Sequence, residues 1–287
     1  MALCFFASDL HGRTDRYDKL LRAVEAERPA AVFLGGDLLP SGFGIVESVD
    51  PDHIDFINGF LAPAFERVRG AVVAAYPDVF AILGNDDPRI EEAAMLDVAT
   101  RGLWHYAHGR RIEWRGYTVF GYACIPPTPF RLKDWERYDV SRYVDPGCSS
   151  PEEGMRTVPA NESEVRYGTI QRDLEALVGD GPLDRAIMLF HSPPYRSALD
   201  RGALDGRMVD HVPVDLLIGS IAIARFISAR QPRVTLHGHV HESARITGEW
   251  STRLGGTFAF SAAHDGPELA LVRFDPDDLT SATRELI

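Results

Sequence analysis

A chain of 287 residues with 45% hydrophobic content is long enough to bury a full core, which excludes a small scaffold held together by cross-links. Its formal charge of -12, from 30 basic and 42 acidic residues, opposes a polyanionic duplex and disfavours a nucleic-acid polymer as partner, but leaves room for a local site that takes a small phosphate ester. Cys4, Cys124 and Cys148 form no close pair and make an odd count, and no signal-like segment or apolar run of about 18 residues is present, so the expected setting is a reducing cytoplasm without a membrane span.

In chain order, Leu3 to Ala7 reads as a strand, Asp15 to Arg28 as a helix with Tyr17, Leu20, Leu21 and Val24 at helical spacing and Pro29 as its stop, and Ala31 to Leu34 as a second strand. Pro40-Ser41-Gly42-Phe43-Gly44 reads as a flexible loop, followed by a helix from about His53 to Tyr76 that is broken or bent at Pro63. Val79 to Leu83 is strand-like, Glu91 to Thr100 helical, and Arg110 to Trp114 with Tyr117 to Cys124 form a hairpin around Arg115-Gly116. The stretch from Pro126 to about Glu162 lacks periodicity and reads as an inserted loop or lid in an otherwise single domain spanning 1–287. Beyond it come a helix over Ser163 to Val178, strands over Arg185 to Phe190 and Arg233 to Leu236, and a helix over Leu216 to Arg230. Arg245 to Glu249, Thr257 to Ser261 and Glu268 to Phe274 read as closing strands. Alternating strands and helices with late antiparallel pieces predict a layered α/β fold.

Five of the apolar runs end in a polar cluster. Asp9 and His11 follow the first strand, and residues two apart on an extended chain face the same side, so one cation can touch both. Gly35-Gly36-Asp37 follows the second strand, Gly84-Asn85-Asp86-Asp87 the third, and His191 with Ser192-Pro193-Pro194 the fourth. His237-Gly238-His239-Val240-His241 follows the fifth; with 25 Gly and 10 His in the chain, Gly-His-x-His arises by chance only roughly 0.03 times. Singly, each cluster has an ordinary explanation as a turn or a structural histidine. Together they stand where open α/β sheets place ligand sites, which points to a metal centre.

The series Asp9-x-His11, Gly36-Asp37, Gly84-Asn85, His191 and Gly238-His239-x-His241 resembles the calcineurin-like metallophosphoesterase superfamily from Leu3 to about Ser261. The runs around His191-Ser192-Pro193-Pro194-Tyr195, Leu199-Asp200-Arg201-Gly202 and His241-Glu242-Ser243 look like a prokaryotic branch of small phosphodiesterase-like members. The resemblance implies a four-layer α/β/β/α sandwich with two mixed sheets, in which Asp9, His11, Asp37 and His241 surround one metal and Asp37, Asn85, His191 and His239 the other. Nitrogen and oxygen ligands without thiolate suit manganese, iron, zinc or cobalt. The chemistry expected of two ions about 3.5 to 4 Å apart is in-line attack of a metal-bridging hydroxide on a small phosphodiester.

Many members of that superfamily carry His directly after the metal-binding Asn, where it assists departure of the leaving oxygen; here the position is Asp86. Asp86 is therefore a candidate protonated acid, or it orients a neighbour such as Asp87 or His237, or the 126–162 segment supplies the assistance. Asn85 and His239 complete the candidate catalytic set. Arg13, His237 and Asp87 are candidates for contacting substrate or supporting the ligands, although His237 reads more readily as a strand-end residue bonded to backbone, and the loop residues His264 and Asp265 as structural in the same way. Arg89, Arg196 and Arg201 are weaker phosphate candidates, and Ser220 either caps a helix or helps its amino end bind an anion. Trp135, Tyr138 and Tyr143 are candidates to cover a nucleobase or to pack a protomer contact in a homo-oligomer. Two other readings stand beside the diesterase: a binding scaffold of the same fold with weak or no catalysis, and a nuclease, which the acidic balance disfavours.

Overall fold

The computed structural model describes residues 2–41 and 55–287. Two six-stranded mixed sheets lie at its centre. In the first, β1 (Cys4–Ala7), β2 (Ala31–Gly35), β3 (Asp78–Ile82) and β4 (His105–Tyr106) run parallel, and β13 (Ala270–Asp275) and β14 (Asp278–Leu286) extend it antiparallel beyond β1. In the second, β6 (Tyr117–Tyr122), β7 (Ala186–Phe190), β10 (Val234–His237) and β12 (Thr257–Ser261) run parallel. Its edges are the antiparallel strands β5 (Arg111–Trp114) and β11 (Ser251–Leu254). A small hairpin, β8 (Met208–Val209) with β9 (Val212–Pro213), stands apart from both sheets.

Aromatic contacts fasten the sheets face to face. Trp114 of β5 meets Phe33 and Phe80 of β2 and β3 edge-on, with ring centres 6.3 and 6.1 Å away, and Phe260 of β12 lies 6.0 Å from Phe274 of β13. Among the described residues the α-helices are α1 (Thr14–Glu27), α2 (Ala62–Val72), α3 (Glu92–Thr100), α4 (Glu162–Tyr167), α5 (Ile170–Val178), α6 (Ile221–Arg230) and α7 (Ser243–Thr247). The architecture is the expected α/β/β/α sandwich. Because central strands are covered on both faces they read as unbroken apolar runs; all four residues of β1 and all five of β7 are buried. Each fully buried Phe or Leu contributes about 1.5–3 kcal/mol.

Three expectations need correction. The helix expected over Ser163 to Val178 is two helices: Gly168 is extended, and the Thr169 hydroxyl accepts from the Arg172 N–H to start α5 afresh. Arg245 to Glu249 is not a strand. Ser243–Thr247 is the short helix α7, ended by Gly248 in the left-handed region (φ 78°), and the strand comes after it. Residues 216–219 are not helical; Leu217 bridges to Arg201, and α6 begins only after Ser220. Near Pro63, where the sequence predicts a break or bend, a π-helical turn over Ile57–Leu61 leads into α2, with Pro63 in its first turn, where its missing N–H costs least. The Gly42-Phe43-Gly44 part of the expected loop, and His53 and Ile54 at the expected helix start, lie outside the described residues.

The 126–161 segment is irregular but closely packed. Trp135 is fully buried and its indole N–H donates to the Asp87 carbonyl at 2.8 Å, tying the segment to the loop after β3. Lys133 and Glu136, both buried, form an ion pair at 2.6 Å. Trp135 and Tyr138 are therefore unavailable to a nucleobase or a protomer, whereas Tyr143 is 68% exposed.

Candidate metal centre

The loops leaving β1, β2 and β3 in one sheet and β7 and β10 in the other converge at the carboxyl ends of those strands. Backbone pairing continues past the strand ends, with Asp9 N–H donating to Gly36 C=O at 2.9 Å and His11 N–H to Asp37 C=O at 2.8 Å. That continuation holds two ligand-bearing loops side by side.

Asp9, His11, Asp37 and His241 each place a ligand atom within 4.8 Å of all the others, an arrangement that can hold a metal ion. The Nε2 atoms of His11 and His241 face each other at 3.2 Å, His241 Nε2 lies 3.2 Å from Asp9 Oδ1, and His11 Nε2 lies 3.9 Å from Asp37 Oδ2. Asp37 also reaches the second group: its Oδ2 is 3.3 Å from His191 Nε2, which in turn is 3.0 Å from Asn85 Oδ1. His191 Nδ1 is committed to the Gly35 carbonyl at 2.8 Å. In the neutral ring, whose proton is spent there, the Nε2 lone pair meets an amide oxygen and a carboxylate oxygen. Three acceptors in such proximity require either an extra proton or a cation. The His239 ring stands 5.2 Å from that of His191, and its backbone N–H donates to Asp9 Oδ1 at 3.0 Å.

The backbone is strained where the ligands sit. Asp9, His11, Asp37 and His239 all adopt positive φ, at 57°, 47°, 50° and 74°, which side-chain-bearing residues do only where surroundings enforce it. Gly36 is needed for a different reason: a β-carbon there would stand 2.6 Å from His191 Nδ1.

Electrostatics point the same way. Burial, the largest influence on His191, resists charging, but Asp37 beside it, aided by Asp9 and the Gly35 carbonyl, pushes its pKa up to about 9. At His11 burial is again outweighed, here by the hydrogen bond to Asp86 and the charges of Asp37 and Asp9, and the value rises to about 9. Burial would raise both buried carboxyls, yet His241 with its neighbours holds Asp9, and His191 with His11 holds Asp37, below the ordinary range. At His239, by contrast, burial and the neighbouring His191 push the value down to about 3; around Asp9 and Asp37, imidazoles that seek protons and carboxylates that shed them describe a pocket short of positive charge.

The remaining candidates divide sharply. Asp86 does not orient Asp87 or His237; its Oδ2 lies 3.2 Å from His11 Nδ1 and its Oδ1 accepts from the Ser41 hydroxyl at 3.0 Å. Asp87 is fully buried and accepts the N–H groups of Leu38, Leu39 and Gly84 at 2.7 to 3.0 Å, clasping the loops after β2 and β3 together without reaching the ligand atoms. Arg13 pairs with Asp15 at 3.3 Å, Arg89 with Glu92 at 3.1 Å and Arg201 with Asp205 at 2.6 Å, while Arg196 lies over the Tyr195 ring. His264 and Asp265 engage Glu268 and Arg245. Ser220 caps α6, and the anion at that helix end is the chain's own Asp139, which accepts from the Ser220 hydroxyl and from Ile221 N–H, each at 2.6 Å.

Sequence reasoning missed Arg16, Ser8 and Ser41. Arg16 is buried on the inner face of α1 and donates to the Asp9 carbonyl at 2.5 Å and to the Gly266 carbonyl, so it fixes the loop that presents Asp9. The Ser8 hydroxyl donates to Asp9 Oδ2. An arginine among the apolar positions of a helix that begins just after a ligand loop was the available signal.

His237 belongs to the fold, not to the ligand group. Its Nδ1 faces the Ser192 carbonyl at 2.9 Å and its Nε2 the Thr235 hydroxyl at 2.7 Å, and burial pushes its pKa down to about 4. A base depressed from an ordinary 6.5 stabilises the fold above pH 6.5, and that contribution disappears as pH falls toward 4. At about 1.4 kcal/mol per unit, the full loss is about 3 kcal/mol. Urea unfolding of His237→Asn should show a shallower stability decline between those pH values than the parent; an unchanged slope removes His237 as the cause.

The model of the calcineurin-like phosphoesterase family matches residues 4–243. A solved crystal structure superposes at a TM-score of 0.61 over 100% of this chain and 98% of its own, at 16% identity. TT1561 of Thermus thermophilus superposes at 0.55 over 99% and 98%, at 17% identity. At such identities the likeness is one of fold alone. No curated protein matches the chain. Among the described residues, no helix is long and apolar enough to cross a membrane.

Proposed function

The chain belongs to the calcineurin-like phosphoesterase family, and from that premise we propose a metal-dependent phosphoric ester hydrolase that holds two divalent ions and acts on small phosphodiesters. Asp9, His11 and His241 hold one ion, Asn85, His191 and His239 the other, and Asp37 is shared. The observation that carries this reading is the meeting of His191 Nε2, Asn85 Oδ1 and Asp37 Oδ2 at 3.0 to 3.3 Å while His191 Nδ1 faces the Gly35 carbonyl, a cluster that a cation can bridge in place of a proton. Bound there, divalent cations supply a water made nucleophilic at neutral pH and positive charge for the phosphoryl oxygens. An all-nitrogen-and-oxygen donor set suits manganese, iron, zinc or cobalt. The protein's own part is to aim and fix these ligands, through Ser8, Arg16 and the Gly35 carbonyl. The free cysteines Cys4, Cys124 and Cys148 support a reducing, cytoplasmic setting.

Preference for a diester follows from charge. Asp86 stands at the rim with its side chain 20% exposed, and a dianionic monoester meets more repulsion there than a monoanionic diester. One such contact near the surface is worth on the order of 1 kcal/mol or more. With added manganese, kcat/KM for an aryl phosphodiester should exceed that for the matching monoester by about tenfold; equal or better turnover of the monoester overturns the preference. Purified protein should carry two ions per chain, and His239→Ala should lose diester turnover. A metal-binding scaffold is the second reading, favoured by one observation: the Asp86 side chain is engaged with His11 and Ser41 rather than free to face a leaving group. Protein that binds two ions and turns over neither ester supports it. The net charge of -12 favours a small substrate over the polymer of a nuclease.

A further inference from the structure

We propose that Asp86 is a positioning residue for His11: it fixes the imidazole so that Nε2, and not Nδ1, is offered to the first ion. This deepens the two-ion reading and rests on it. The geometry consists of a three-part relay. The Ser41 hydroxyl donates to Asp86 Oδ1 at 3.0 Å, Asp86 Oδ2 stands 3.2 Å from His11 Nδ1, and His11 Nε2 faces His241 Nε2 at 3.2 Å and Asp37 Oδ2 at 3.9 Å. A carboxylate only accepts, so the proton of the neutral imidazole lies on Nδ1 and the Nε2 lone pair points into the ligand group. The chain ends of the relay are anchored too. Asp86 N–H donates to Asp37 Oδ1 at 2.8 Å, and the next residue, Asp87, is clasped by three backbone N–H groups. The carboxylate therefore approaches His11 from a backbone already fastened to the shared ligand.

A hydrogen-bonded carboxylate behind a metal-binding histidine sets its tautomer, its ring orientation and its basicity. His11 needs such support more than His191 does, because His191 spends its Nδ1 proton on the Gly35 carbonyl and is fully buried, whereas the His11 side chain is 24% exposed. Its backbone, at φ 47°, is also strained. Without Asp86 the ring is free to turn over or to present the wrong nitrogen. The position is thereby committed to gripping the first ion rather than to donating a proton.

Calorimetric manganese titration of the full chain, with the visible spectrum of the cobalt-loaded protein as a second readout, tests this. Wild type should bind two ions. Asp86→Ala should weaken one of the two by about 10- to 100-fold and leave the other within a few-fold, with a changed cobalt spectrum. Asp86→Asn keeps an acceptor for the Nδ1 proton and should recover most of the loss, which also guards against misfolding of the alanine variant. Ser41→Ala should fall between Asp86→Asn and wild type. Two ions bound at wild-type affinity in Asp86→Ala overturns the positioning role and leaves the two-ion reading standing. Wild-type protein that binds no ion overturns both.

Discussion

Asp37→Ala should abolish phosphoester hydrolysis and leave the protein with fewer than two ions. Among the described residues no other carboxylate is placed to touch both halves of the centre: Oδ2 lies 3.3 Å from His191 Nε2 and 3.9 Å from His11 Nε2, while Oδ1 takes the Asp86 N–H at 2.8 Å. Removing it deletes a negative charge from each ion's surroundings and releases the loop that carries Asn85 and Asp86. Charge stabilisation by bound metal is worth several kcal/mol, so turnover of an aryl diester should fall by about three orders of magnitude or more. Asp37→Asn keeps oxygen toward one side only and should lose nearly as much. Stability should move as well. In metal-free protein His191 and His11 hold the Asp37 carboxylate below the ordinary range and it takes the Asp86 N–H, so metal-free Asp37→Ala should melt below metal-free wild type near neutral pH, while added manganese raises the wild-type midpoint and fails to raise the variant's. A variant that retains two ions and full turnover excludes Asp37 as the shared ligand, and with it the proposed chemistry.

The parts of this molecule legible in its sequence are those set by local pattern. β1, β2, β3 and β7 are buried on both faces and so write nearly unbroken apolar runs, and β10 is buried too, with Val234 and Leu236 as its apolar residues. Their ends must carry the ligands, and Asp9, Asp37, Asn85, His191 and His241 stand within four residues of them. What stayed hidden depends on distant chain segments meeting. β14 is largely exposed, with Asp278, Thr280, Ser281 and Thr283 along it, so its pairing with β13 leaves almost no apolar alternation to read. Asp139 reaches the amino end of α6 across 82 residues of chain, and Ser41 meets Asp86 across 45. Asp86 itself was visible only as a departure from pattern. Its partner, His11, lies in a different loop, and no spacing in the sequence joins them.

The 126–161 segment carries the second large effect. Lys133 and Glu136 are both buried; the ammonium donates to Glu136 at 2.6 Å and to the Thr128 carbonyl at 2.8 Å, and Glu136 also takes the Thr128 N–H at 2.9 Å and its hydroxyl at 2.5 Å. Lys133→Met should destabilise the fold by about 3–5 kcal/mol, because it leaves a buried carboxylate without its cation. Replacing both partners with apolar residues of similar volume should recover most of that loss. The pH dependence separates a lost charge partner from lost packing. Burial pushes Glu136 up to about 7, against the downward pull of Lys133 and Thr128, and deleting the lysine raises it further. A carboxyl raised above its unfolded 4.5 stabilises the fold most below that pH, and the contribution is lost as pH climbs through the folded value. The deficit of Lys133→Met relative to wild type should therefore be small near pH 5 and grow by about 1.4 kcal/mol per pH unit above about pH 7 in urea unfolding, whereas a packing defect gives the same deficit throughout. Since Trp135 holds the Asp87 carbonyl from this same segment, the alkaline loss should be accompanied by weaker manganese binding, and restored affinity at pH 8 in the doubly apolar variant ties the two together.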